Sequence, residues 1–137
     1  MIVLDASSWV LALVEAGPVG TAAREVLAAD GDWMVPAHGP IEVLRTIRRY
    51  ETRAVIGSSA ADRLAAEVIR AEVRLVLPDA ALLTYVWRSR HNVSPYDAPY
   101  LALAARHEVP LVTNDVRLAR AAGELELAVV VPAPATR

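Results

Sequence analysis

The 137-residue sequence has no cysteine and no phenylalanine, and all 14 of its basic residues are arginine. Without cysteine there is no disulfide framework, no thiolate metal site and no cysteine nucleophile. Without lysine there is no Schiff-base chemistry and no phosphate-binding loop of the Gly-Lys-Ser/Thr kind. Long apolar runs are missing too: none approaches the roughly 18 residues that a membrane span needs. The apolar start Met1-Ile2-Val3-Leu4 carries no basic residues and breaks at Asp5, unlike a signal peptide. The expectation is a soluble, cytoplasmic protein that makes no membrane contact. Excess charge is also absent. A formal net charge of −2 argues against binding nucleic acid by bulk charge alone.

What is present is apolar. Hydrophobic residues make up 55% of the chain and charged ones 22%, ample for a globular core and too apolar for disorder. Short apolar runs alternate with longer amphipathic ones, the βαβα pattern of a mostly parallel sheet flanked by helices in three layers. Strands are expected at 2–4, 33–35, 73–77, 110–112 and 127–131. Helices are expected near 7–15, 19–29, 41–53, 58–71, 79–90, 94–107 and 116–122. Residues 1–131 read as a single α/β domain, and the Pro-rich 132–137 as a frayed tail.

Acidic residues recur at informative places. Asp5 directly follows the first strand, Asp115 follows the fourth after Thr113-Asn114, and Asp97 stands at the start of a helix. Ligands of open parallel sheets bind outside the carboxyl ends of the strands, so Asp5 and Asp115 suit a site. Each acid has a plainer explanation. Asp5 and Asp115 are good N-caps, each worth about 1 kcal/mol. Ser94-Pro95-Tyr96-Asp97 reads as a capping box with proline at the first helical position. Glu42 falls opposite the apolar face Val43, Leu44, Ile47, Tyr50, where a solvated pairing with Arg45 would account for it. Composition and spacing leave both readings open.

The segments Ile2-Val3-Leu4-Asp5-Ala6-Ser7, Pro36 leading to Glu42-Val43 with Arg48-Arg49, Tyr96-Asp97-Ala98 with Tyr100 to Ala104, and Leu111-Val112-Thr113-Asn114-Asp115 with Leu118 occur together in this order. In them, and over essentially its whole length, the chain resembles the PIN-domain ribonucleases, specifically the VapC-type toxins of bacterial toxin–antitoxin pairs. The resemblance implies a metal-dependent endoribonuclease that leaves a 3′-hydroxyl and a 5′-phosphate. It implies an acidic pocket of Asp5, Glu42, Asp97 and Asp115, shaped by Ser7, Thr113 and Asn114. Asp5, Asp97 and Asp115 would be the main ligands of Mg²⁺, with Mn²⁺ as substitute, and Glu42 would bind a second ion or position the attacking water. Hard oxygen ligands suit such ions.

The same resemblance implies an RNA substrate, with a tRNA or rRNA loop the family expectation, a VapB-type antitoxin as partner, and a homodimer. Arg45, Arg49 and Arg53, on the helix face of Glu42, are candidate contacts to RNA phosphates. Two positions depart from the family pattern. Arg45 stands where many members have asparagine, and Pro99 threatens the turn that carries Asp97. His38, His91 and His107 are too scattered for metal-ligand spacing and read as structural or surface residues. Trp9 and Leu13 form an i, i+4 stripe that is core or, in part, antitoxin surface. Three rivals remain. A phospho-receiver or aspartate-nucleophile phosphatase characteristically uses a lysine, absent here. A structure-specific DNA nuclease needs insertions for which this length leaves no room. A non-catalytic PIN-like module binding RNA or protein would be favoured by loss of an acid, yet all four positions are filled.

Overall fold

A computed structural model of the chain describes residues 1–134. Its five strands are β1 (Ile2–Leu4), β2 (Trp33–Pro36), β3 (Arg74–Val76), β4 (Leu111–Val112) and β5 (Val129–Val130). All pairings are parallel, in the order β3-β2-β1-β4-β5. The described helices are α1 (Ala6–Val14), α2 (Pro18–Ala29), α3 (Gly39–Thr52), α4 (Ser58–Arg70), α5 (Ala80–Arg88), α6 (Ala98–His107) and α7 (Val116–Glu124). None is long and apolar enough to cross a membrane.

Strand alternation divides the core in two. Ile2 and Leu4 of β1, Val35 of β2 and Val112 of β4 pack with Trp9, Val10, Val43, Ile47 and Leu64 of the helices between α1 and α4. Val3, Met34 and Leu111 turn the other way, onto Tyr100, Leu101 and Leu103 of α6 and Leu118 of α7. The result is the expected three-layer α/β arrangement. Because both faces of the sheet are covered, the central strands read as unbroken apolar runs rather than as alternating ones. Trp9 is 3% exposed and meets Trp33 edge to face, with ring centroids 6.3 Å apart. It belongs to the core, and only Leu13 of that stripe is partly exposed.

The strand order positions the site. From β1 the chain winds outward through β2 to β3, then returns to the other side of β1 for β4 and β5. The winding reverses between β1 and β4, and this switch point is where a crevice opens at the carboxyl ends of the strands. Asp5 leaves β1 and Thr113-Asn114-Asp115 leave β4 at that place.

Several boundaries differ from expectation, one of them with consequences. Helix α6 begins at Ala98, not Ser94. Ser94 to Asp97 form a separate turn, in which the N–H groups of Asp97 and Ala98 both donate to the Ser94 carbonyl. The Ser94 hydroxyl accepts from the Asp97 N–H at 3.1 Å, so it caps this turn instead of a helix. Pro99 has no N–H for the Pro95 carbonyl, which breaks the ladder there. Since Pro99 falls in the first turn of α6, the missing donor costs the helix nothing. In the expected tail, Pro132 is buried and its carbonyl accepts from Asn114 Nδ2 at 2.9 Å. The rest of the expected tail, 135–137, lies outside the described residues.

Candidate active site

Asp5, Glu42, Asp97 and Asp115 line one cavity of about 340 Å³, together with Ser7, Asn114, Arg45 and Arg49. They reach it from four elements: the ends of β1 and β4, the first turn of α3, and the turn before α6. Asp5 and Asp115 do cap their helices. Asp5 Oδ2 accepts from the Ser7 N–H at 3.3 Å, and Asp115 Oδ1 from the N–H groups of Arg117 and Leu118 at 2.8 and 3.2 Å. Capping and site membership are therefore not alternatives.

Oxygens are used unevenly. On Asp5, Oδ2 also accepts the Ser7 hydroxyl and, at 2.8 Å, the hydroxyl of the fully buried Thr113. Glu42 Oε1 accepts from the Tyr100 hydroxyl at 2.8 Å and faces His38 Nε2 at 3.3 Å. The second oxygen of Asp5, Glu42 and Asp115 accepts no hydrogen bond from the described residues. Thr113 Oγ1 accepts from the Asp115 N–H at 3.0 Å, so one hydroxyl links the two strand-end acids. Asn114 receives the Ser8 hydroxyl at 2.6 Å and donates its N–H to Ser7 Oγ at 3.0 Å, bracing the pocket from behind.

The electrostatics are those of crowded carboxylates. Burial pushes the Asp5 carboxyl above its ordinary range, against the pull of the Ser7 and Thr113 hydrogen bonds, and the charge of Asp97 adds to the rise. Burial likewise raises Glu42, opposed by Tyr100 and His38 and reinforced by Asp5 and Asp97. Asp97 rises through burial, with Asp115 contributing by repulsion. Three acids held above their ordinary values in one cavity favour any ligand that brings positive charge.

Residues 2–124 match the family model described as the PIN domain. The chain belongs to the PIN-domain family. Ribonuclease VapC12 of Mycobacterium tuberculosis is 36% identical over 131 residues, 93% of this chain and 98% of that one. Ribonuclease VapC1 of the same organism is 57% identical over 42 residues, so the matched stretch spans about a third of each chain, 31% and 32%. Among solved structures, M. tuberculosis VapC20, described as a sarcin-ricin loop cleaving toxin, matches with a TM-score of 0.69. At 20% identity over 98% of this chain and all of that one, this likeness is one of fold.

In this PIN domain the residue donors fit a hard divalent cation. Carboxylates from separate elements share a cavity, and three present an oxygen that accepts nothing from the described residues. No three acidic or histidine side chains among the described residues stand close enough to enclose an ion on their own. Waters and a substrate phosphate would have to complete the shell of such an ion, as is usual for Mg²⁺.

The arginine expectations divide. Arg45 and Arg49 line the cavity and are exposed. Arg53 does not line it: it caps the far end of α3, some 16 Å along the helix from Glu42. The expected Glu42–Arg45 pairing does not form, and Glu42 is partly buried rather than solvated. Two site residues were missed. His38, read as structural or surface, stands beside Glu42 at i, i−4, and its Nε2 lies 2.8 Å from the Tyr96 carbonyl. Tyr100 is fully buried, and a buried tyrosine hydroxyl calls for a polar partner. A lone tyrosine beside the aliphatic run Leu101 to Ala104 was the available signal. His91 and His107 are exposed, as expected.

Proposed function

We propose that this PIN domain is a metal-dependent endoribonuclease toxin held silent by a VapB-type antitoxin. The observation that carries the reading is the convergence of Asp5, Glu42, Asp97 and Asp115 on one cavity at the switch point of the sheet. Relatives named ribonuclease VapC support the choice of RNA as substrate.

Asp5, Asp97 and Asp115 would hold Mg²⁺ or Mn²⁺, and Glu42, through Oε2, a second ion or the attacking water. When bound, such an ion lowers the pKa of a water, holds the phosphate and offsets charge on the leaving oxygen. Ser7 and Thr113 keep Asp5 fixed through Oδ2, leaving Oδ1 for the site. Tyr100 and His38 do the same for Glu42 through Oε1. Arg45 and Arg49 contact flanking phosphates, which sets position and not sequence. Water adds to phosphorus and the bond to the 3′-oxygen breaks, giving a 3′-hydroxyl and a 5′-phosphate. An unpaired loop, of a tRNA or rRNA, is the form of RNA that such a site admits.

The antitoxin follows from the charge. A cleft lined by four carboxylates is matched by arginine, whose fork binds carboxylates bidentately. We infer an inhibitory tail that places an arginine among them in competition with the metal, on a toxin that pairs with itself as a homodimer. The test is incubation of the purified chain with RNA and with DNA, in Mg²⁺, Mn²⁺ or chelator, beside Asp5→Asn. RNA cleavage that needs the metal and Asp5, with 5′-phosphate ends, is the expected result. Cleavage indifferent to chelator or to Asp5→Asn overturns the reading, and absence of any cleavage favours a non-catalytic binding module. Replacing the antitoxin's tail arginines with alanine should make inhibition weaker.

A further inference from the structure

A second cavity, of about 540 Å³, opens against the acidic one and shares Glu42, Arg45 and Asp97 with it. Its other walls are His38, Ile41, Ser94 and Tyr96. Single apolar side chains on a surface are ordinary. Here two large ones, Ile41 and Tyr96, each 65% exposed, line the same cavity beside the carboxylates. The Tyr96 ring is also held in place. It meets His38 edge to face at 5.8 Å, while His38 Nε2 bonds the Tyr96 carbonyl at 2.8 Å. A carbonyl only accepts, so Nε2 carries the proton in this bond.

We propose that this cavity is the subsite for one unpaired nucleobase next to the scissile phosphate, stacked on Tyr96 and flanked by Ile41. The inference rests on the ribonuclease reading and deepens it. An aromatic plane fixed before binding pays little ordering entropy, and stacking on it is available to every base because each has a π-face. Arg45 lies in the walls of both cavities and forms no ion pair among the described residues, so it is free to take the phosphate between the base and the acids. The Ser94 hydroxyl adds a polar contact at the rim. Continuity with the carboxylates is what favours a base over a protein side chain: a nucleotide whose phosphate sits at the acids has its base within reach of this neighbouring wall. The subsite selects for an unpaired base, since a paired one has both faces stacked in a helix and cannot present one to Tyr96.

The experiment uses the full chain and a fluorophore-labelled single-stranded RNA 12-mer of mixed sequence in Mn²⁺. Once the cut is located, versions with one abasic residue on either side of it are compared. Tyr96→Ala keeps the backbone carbonyl that His38 bonds, and it truncates an exposed side chain. It should lower kcat/KM on the order of ten-fold, with Tyr96→Trp restoring it and Mn²⁺ affinity unchanged. One abasic position should cost the wild-type chain a similar factor and cost Tyr96→Ala nothing further. Equal kcat/KM in wild type and Tyr96→Ala, while Asp5→Asn is inactive, overturns the subsite and leaves the ribonuclease reading standing. Weakened antitoxin binding with unchanged cleavage gives the cavity to the antitoxin and overturns it as well. A wild-type chain that cuts no RNA overturns both.

Discussion

Asp5 and Asp79 occupy the same local motif and lead opposite lives. Each follows a strand, and each caps the next helix with its side chain, Asp5 through the Ser7 N–H and Asp79 through the Leu82 N–H at 2.8 Å. Asp5 leaves the central strand β1, is 5% exposed, and is pushed up in pKa by burial. Asp79 follows the edge strand β3, is exposed, and is pulled down by a two-pronged contact with Arg106 at 3.1 Å. A carboxylate after a strand is thus a cap in both places and lines the acidic cavity in only one. Position in the sheet decides which, because only the switch point brings several such ends to one crevice.

The sharpest way to break this contrast is neutralisation on each side. Asp97→Asn, in the central group, should reduce RNA cleavage by about 10²-fold or more, since it removes a ligand or charge partner of the reacting phosphate. The same substitution should leave the fold intact and raise the melting temperature at neutral pH, because it removes a charge that burial, and to a lesser extent repulsion with Asp115, disfavours. Full activity of a folded Asp97→Asn protein would remove Asp97 from the site.

Titration should separate the two regions by sign. Asp5, Glu42 and Asp97 have folded pKa values raised above their unfolded ones, so the native state binds more protons there. Their contribution is fully present below the unfolded carboxylate range, about pH 4, and is lost as pH rises through the raised folded values. Melting temperature in chelator should therefore fall over that window, less so in Asp97→Asn, and Mn²⁺ should reverse the fall. A chelated protein that gains stability across the window contradicts the crowding. Tyr100→Phe tests the same region more gently. It removes the donor to Glu42 Oε1 inside the core, at a cost of about 1–2 kcal/mol. Chemical denaturation measures this, and an unchanged midpoint would deny Tyr100 a role in holding Glu42.

These cases also mark what the chain reveals before it is folded. All five strands and the order of helices were legible, the central β1, β2 and β4 because apolar runs buried on both faces leave little ambiguity. The acids were found chiefly through the four matched segments; periodicity alone placed Glu42 on a solvated face. It failed because helical phase says which side is polar, and not whether another element, here α6 through Tyr100, covers that side. Tyr100 and His38 were missed for the same reason: their partner is 58 residues away for one, and for the other the decisive contact is a backbone carbonyl that no side-chain pattern announces. The start of α6 was misplaced by a capping signature that works on a turn instead of a helix.

The smallest effect belongs to the edge. Arg106→Ala removes the partner that holds Asp79 below the ordinary carboxylate range. A lowered folded pKa means that the pair contributes above the unfolded pKa and is lost as pH falls through the folded value, the reverse of the central group. Both side chains are solvent-accessible, so screening leaves little of the Coulomb energy. At neutral pH the melting temperature should drop by no more than about 2 °C, and the drop should vanish in acid or at high salt. Cleavage should not change at all, since the pair stands outside the cavity that the four acids share. A loss of activity in Arg106→Ala comparable to that of Asp97→Asn would mean that the edge strand end belongs to the site, and that position in the sheet does not separate these two aspartates.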